Sequence, residues 1–132
     1  MVTMTPQLNA IGLVTTDLAA SLRFYRLLGL DIPEDVESRP HVEVVAGGVR
    51  LMWDTVEVVE SFGGPYTPPT GDARVSLAFE CDGPGEVDAV WSRLAEAGHG
   101  EVEPFDAPWG QRYATVTDPD GNGVDLFAAL PS

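Results

Sequence analysis

One order of elements, strand, helix and then three strands, is written twice into this chain, and that repeat limits the folds open to it more than any other feature. In the first half Leu8 to Thr15 reads as a strand, with Ile11 and Leu13 alternating against Ala10, Gly12 and Val14. Asp17 then offers a side-chain acceptor to the free amides of a helix start. Leu18, Leu22, Tyr25 and Leu28 put an apolar stripe on one helical face, and Gly29 supplies the stop. Extended runs are predicted near Leu30 to Pro33, His41 to Ala46 and Val49 to Asp54, the last two joined by a hairpin turn at Gly47-Gly48.

The second half repeats the order. Val75 to Cys81 reads as a strand and Pro84 lies near a helix start. Val87, Val90, Trp91 and Leu94 mark its apolar face, which ends at Gly98. Strands follow near Gly100 to Phe105, Arg112 to Thr117 and Val124 to Ala128, with the turn-rich run Asp118-Pro119-Asp120-Gly121-Asn122-Gly123 between the last two. Two modules of this kind share one core. The sequence thus predicts a single α+β domain over 1–132, with a first module at about 8–59, a linker at about 60–72 and a second module at about 73–130. The linker is rich in Gly, Pro and Thr; the alternative to a plain linker is a flap in which Phe62 and Tyr66 help cover a ligand.

Composition narrows the partners. The formal net charge of -14 argues against nucleic acid and disfavours an anionic membrane, while a cationic small molecule would be attracted. No run approaches the length of a membrane span, and nothing near Met1 to Gln7 reads as an export signal, so a cytoplasmic protein is expected. The single Cys81 cannot form an intrachain disulfide and reads as a small core residue.

Two local patterns resemble the vicinal-oxygen-chelate superfamily of glyoxalase I, bleomycin resistance proteins and dioxygenases. One is the run from Asp17 to Leu30, with its Asp start, its Ser21 before Phe24-Tyr25 and its Leu28-Gly29 stop. The other is Asp118-Pro119-Asp120-Gly121-Asn122 followed by Val124-Asp125-Leu126. The resemblance implies two tandem βαβββ modules whose mixed sheet curls into a cup around a pocket. It also implies up to four metal ligands on inward-facing strand positions, where a divalent ion polarises substrate and a carboxylate serves as base.

Matched residue by residue, most of those ligands are missing. The first falls at Ala10, which has no donor atom, and its counterpart at Ser76, a poor metal ligand beside imidazole. The carboxylate position after Gly47-Gly48 falls at Arg50 or Met52, depending on register. Only Asp125 keeps a carboxylate where the family has its Glu, so no metal and no other cofactor is expected. A two-carboxylate site of Asp54 and Asp125 would need a shifted register. His41 and His99 read as structural or surface residues, because no carboxylate or second His stands beside either at ligand spacing.

The resemblance then favours a metal-independent protein that binds and sequesters a drug or toxin, as in the antibiotic-resistance branch. The pocket is expected to be lined by Gly12, Ser76, Ala78, Asp125 and Phe127, with Trp53, Trp109 and Tyr113 at its rim. The alternatives are a lyase, isomerase or dioxygenase with a divergent or metal-free site using Asp125 or Glu80 as base, and an interaction module without a small ligand. A homodimer is expected, since small modules leave sheet edges that profit from a partner.

Overall fold

The computed structural model describes residues 5–132. Its first sheet has the order β1-β3-β2, built from β1 (Ala10–Thr15), β2 (His41–Ala46) and β3 (Val49–Thr55), with β1 parallel and β2 antiparallel to β3. Its second has the order β4-β7-β6-β5, from β4 (Ser76–Glu80), β5 (Gly100–Ala107), β6 (Gln111–Thr117) and β7 (Gly123–Ala129). Each sheet carries one long helix, α1 (Leu18–Leu28) on the first and α3 (Pro84–Glu96) on the second; a shorter helix, α2 (Val56–Gly63), follows β3. Among the described residues no helix is long and apolar enough to cross a membrane.

Local chemistry sets the helix bounds. Asp17 Oδ1 accepts from the Ala20 amide at 3.0 Å, filling one of the donors a helix start leaves free. Gly29 ends α1 at φ 125°, a conformation that L side chains rarely adopt. The buried face of α1, with Leu18, Leu22, Tyr25 and Leu28, meets Leu13, Leu51 and Trp53 from the sheet, and α3 sets Val87, Val90 and Leu94 on Val124, Leu126, Ala114 and Val116. Burying a side chain such as Leu22 or Leu94 stabilises by about 1.5–3 kcal/mol relative to exposure.

The modules are joined through their helices rather than through their sheets. α1 packs on α3, Phe24 meets His99 edge to face at 4.9 Å, and Arg93 Nε donates to the Leu27 carbonyl at 2.8 Å. The turn before β7 adds a clasp: Tyr25 OH donates to Asp118 Oδ2 at 2.8 Å, and Thr16 donates to Asp120 Oδ1 through its amide and its hydroxyl, each at 3.0 Å. The two sheets share no strand pairing, so β1 and β4 each have one unpaired edge.

Two segments differ from the sequence expectation. Leu30 to Pro33 forms no strand, and the first module has three strands where the repeat predicts four. Arg26 captures the carbonyls of Ile32 and Pro33 and pairs with Glu37, while Ile32 and Val36 turn into the core, so the segment is held as a loop. The start of the expected linker is helical instead. Thr55 caps α2 by accepting from the Val58 amide at 3.3 Å, and the extended Gly- and Pro-rich stretch begins only after Gly63.

Candidate functional site

Alternation along β7 decides where its one acidic side chain points. Val124, Leu126 and Ala128 are buried against α3, so Asp125 and Phe127 face the other way, onto the open side of the sheet. Register brings Ala78 of β4 and Thr115 of β6 alongside Asp125, and Tyr113 alongside Phe127. Tyr113 OH donates to Asp125 Oδ2 at 2.6 Å and Ser76 Oγ donates to the same oxygen at 3.1 Å. Oδ1 receives no donor among the described residues, which leaves one acceptor of an oriented carboxylate free. Burial, then the hydrogen bond and charge of Asp125, push the Tyr113 phenol up to about 12, so it stays a proton donor at neutral pH.

An aromatic cluster stands beside this carboxylate. Tyr113 lies opposite Phe105 in the β5–β6 ladder, and Trp109 reaches over both from the turn. The three rings meet edge to face, with centroids 6.2 Å apart for Phe105–Tyr113, 5.5 Å for Trp109–Tyr113 and 6.3 Å for Phe105–Trp109. Gly110 at φ 91° turns the chain behind Trp109, whose ring nitrogen donates to Gln111. Trp109 remains 59% exposed.

Six of the eight expected site residues thus share one face of the second sheet: Ser76, Ala78, Trp109, Tyr113, Asp125 and Phe127. Gly12 faces the open side of the first sheet, next to Met52. Trp53 does not belong at a rim. It is fully buried under α1, where its ring nitrogen donates to Ser21 Oγ at 3.0 Å and its ring meets Tyr25 at 5.4 Å. Its odd position in β3, shared with Leu51, already places it on the helix side.

Nor do these residues enclose the cleft between the modules. A cleft of about 1000 Å³ opens between the modules on their helix side, walled by Ile11, Leu51, Leu77, Phe79 and Leu126, with Glu80, Glu86 and Arg93 among its lining. Ser76 and Ala78 reach its border, whereas Asp125, Tyr113 and Phe127 do not line it. The apolar walls are core positions left uncovered beside the unpaired edge of β4.

The register also settles which residue replaces the family carboxylate of the first module. Ala10 pairs with Arg50 and Gly12 with Met52, while Ser76 pairs with Gly123 and Ala78 with Asp125. With Ala10 matched to Ser76, Met52 is the counterpart of Asp125. The four positions therefore hold a methyl, a thioether, a hydroxyl already donating to Asp125, and one carboxylate. That donor set does not fit a divalent ion, and no group of three His, Cys, Asp or Glu arranged to hold a metal occurs among the described residues.

The first sheet holds a second polar cluster that the sequence reading did not find. His41 Nδ1 lies 2.5 Å from Asp54 Oδ1 and its Nε2 lies 2.6 Å from Glu43 Oε2, so the histidine read as lacking carboxylate neighbours bridges two of them. Asp54 is occupied by this contact rather than by a partnership with Asp125. The signal was in the alternation: His41 and Glu43 are two apart on one strand, and Asp54 is the cross-strand partner of His41.

Comparison with known proteins agrees with this architecture. The family model described as Glyoxalase/Bleomycin resistance protein/Dioxygenase superfamily matches residues 7–126. A glyoxalase/bleomycin resistance protein/dioxygenase from Nocardioides is 27% identical over 99% of this chain and 88% of that one, with a TM-score of 0.75. A family enzyme from Burkholderia phytofirmans PsJN is 20% identical, covering 95% of this chain and all of its own, with a TM-score of 0.81. Lactoylglutathione lyase from Agrobacterium tumefaciens is 21% identical over 96% of each chain, with a TM-score of 0.67. No curated protein matches the chain.

Proposed function

Given that the chain belongs to the Glyoxalase/Bleomycin resistance protein/Dioxygenase superfamily, we propose that it is a metal-independent binder that sequesters a cationic drug or toxin. The observation that carries this reading is Asp125. Its Oδ2 is held by Tyr113 and Ser76, its Oδ1 is free, and the Phe105–Trp109–Tyr113 cluster stands beside it on an open sheet face.

An oriented carboxylate receives a charged donor without first losing side-chain freedom, which is how preorganisation raises affinity. The exposed ring of Trp109 offers a flat apolar surface to the rest of the molecule, and a ring face attracts a cation in its own right. The net charge of -14 concentrates cations around the chain. The missing ligands at Ala10, Met52 and Ser76 support a site that works without metal.

The same reading places the protein in the cytoplasm as a homodimer. Leu8, Val45, Val75 and Val102 are large apolar side chains left exposed, and β1 and β4 each have a free edge. A second copy would cover both. An enzymatic reading has its support in the same free Oδ1, which could accept a proton as a base.

The test is a thermal-shift assay in excess EDTA with proflavine, a planar aromatic cation, against acridine at a pH where acridine is neutral. A ligand that binds only the folded state raises the melting temperature. Stabilisation by the cation and not by its neutral relative is expected. Equal shifts with both, or a shift that appears only when a divalent metal is added, would refute the reading.

A further inference from the structure

On the open face of the first sheet one carboxylate is held between two cationic donors. Glu43 accepts from Arg50 Nη1 at Oε1, and its Oε2 lies 2.6 Å from His41 Nε2. Each donor is fixed from behind by another residue. Asn9 Oδ1 accepts from Arg50 Nε at 3.0 Å and Nη2 at 2.6 Å, and Asp54 Oδ1 faces His41 Nδ1 at 2.5 Å. An imidazole can donate from both nitrogens only as imidazolium, and the flanking carboxylates of Glu43 and Asp54 favour that charged form.

Glu43 differs from the other members of this cluster. Asn9 Oδ1 and Asp54 hold the donors from behind, whereas Glu43 lies on their outer side with a side chain 39% exposed against 25% for Asp54, and no hydrogen bond beyond those two contacts holds it among the described residues. It is on the same strand as His41, exposed, and can withdraw by rotating its own side chain without moving the backbone. A guanidinium and an imidazolium whose orientations are set by other residues, both aimed at one carboxylate, are an arrangement suited to recognising carboxylates in general.

We propose that Arg50 and His41 form a carboxylate-binding site whose resident occupant is Glu43, and that the carboxylate of a small organic acid enters by displacing it. The neighbouring positions on the same face of β1 are Ala10, Gly12 and Val14, which bring no charge to compete. A Cβ placed on Gly12 would meet only the Met52 methyl, at 3.9 Å, so there is room beside the pair. The chain's negative field opposes anions at long range, and selection therefore rests on the two short-range donors. This site stands on a different sheet from Asp125 and does not depend on the function proposed above.

The corresponding places on the second sheet are occupied differently. His41 pairs with Asp54 as Tyr113 pairs with Phe127, and Glu43 pairs with Met52 as Thr115 pairs with Asp125. At these places the second module presents two rings, a hydroxyl and the Asp125 carboxylate, and the first presents His41, Met52 and the carboxylates of Glu43 and Asp54.

The experiment is an NMR titration of the His41 ring resonances with benzoate, with benzamide as the uncharged control, in the parent and in Glu43→Ala. An intramolecular competitor acts at high effective concentration, so removing it should tighten benzoate binding by at least about tenfold. Benzamide should leave the resonances unmoved, and Arg50→Gln in the Glu43→Ala background should abolish the gain. Glu43→Gln carries the same expectations with less loss of side-chain volume, should the alanine variant fold poorly. The proposal is overturned if neither variant binds benzoate more tightly than the parent, if benzamide shifts His41 equally, or if the gain survives Arg50→Gln.

Discussion

Removing one hydroxyl from the interior should measure how firmly the two modules are clasped. Tyr25 is fully buried on α1, and its OH donates to Asp118 Oδ2 at 2.8 Å across the module boundary. Asp118, itself 4% exposed, also accepts from the amides of Asp120 and Asn122 and from Asn122 Nδ2, each at 2.9 Å. A hydrogen bond to a charged acceptor contributes about 1.5–3 kcal/mol. Because Asn122 still serves Oδ2 after Tyr25→Phe, the lower half of that range is expected for this variant. Asp118→Ala strands four donors at once, including the buried phenol, and should cost more than about 3 kcal/mol. Urea denaturation reads both values from the shift in midpoint at unchanged slope. A Tyr25→Phe loss below about 0.5 kcal/mol, or an Asp118→Ala loss no larger than that of Tyr25→Phe, would refute the reasoning. The phenol is raised well above its ordinary range, chiefly by burial and then by Asp118, so it stays protonated and donates at neutral pH.

Two further outcomes follow from other sites. Burial, reinforced by Glu86, Asp82 and Glu80, pushes the Cys81 thiol up to about 11, so it should react slowly with a disulfide reagent at neutral pH in the folded protein and quickly in denaturant; equal rates would contradict this. The pKa of His41 is raised, by Glu43 first and then Asp54, so its contribution to stability is full below the unfolded value near ~6.5 and is lost as pH rises through the higher folded value. Urea midpoints compared above and below that window should fall with rising pH in the parent and not in His41→Gln; a parent midpoint that rises through the window would reverse the assignment.

Much of the architecture was legible because it rests on local rules. The bounds of α1 follow from Asp17, a four-three-three apolar spacing and Gly29, and the face on which Asp125 lies follows from Val124 and Leu126 on either side of it. The loop at Leu30 to Pro33 was not legible, because what prevents a strand there is Arg26, whose capture of two carbonyls depends on where α1 ends in space. Trp53 was misplaced for a different reason: a large aromatic invites a functional reading, although its alternation with Met52 and Asp54 already assigns it to the core. The cluster around His41 combines a two-residue spacing with a cross-strand register, and a register is invisible until the hairpin at Gly47-Gly48 has been closed.

The central claim is that Asp125 orients a cationic ligand on the face it shares with Tyr113 and Trp109, and calorimetric titration of proflavine into the parent, Asp125→Ala and Asp125→Asn tests it most directly. Losing a charge-assisted bond should weaken binding by about 1–3 kcal/mol. The account predicts that loss for both variants, with a single cooperative urea transition at unchanged slope showing the fold intact. Binding by Asp125→Ala as tight as that of the parent would contradict it.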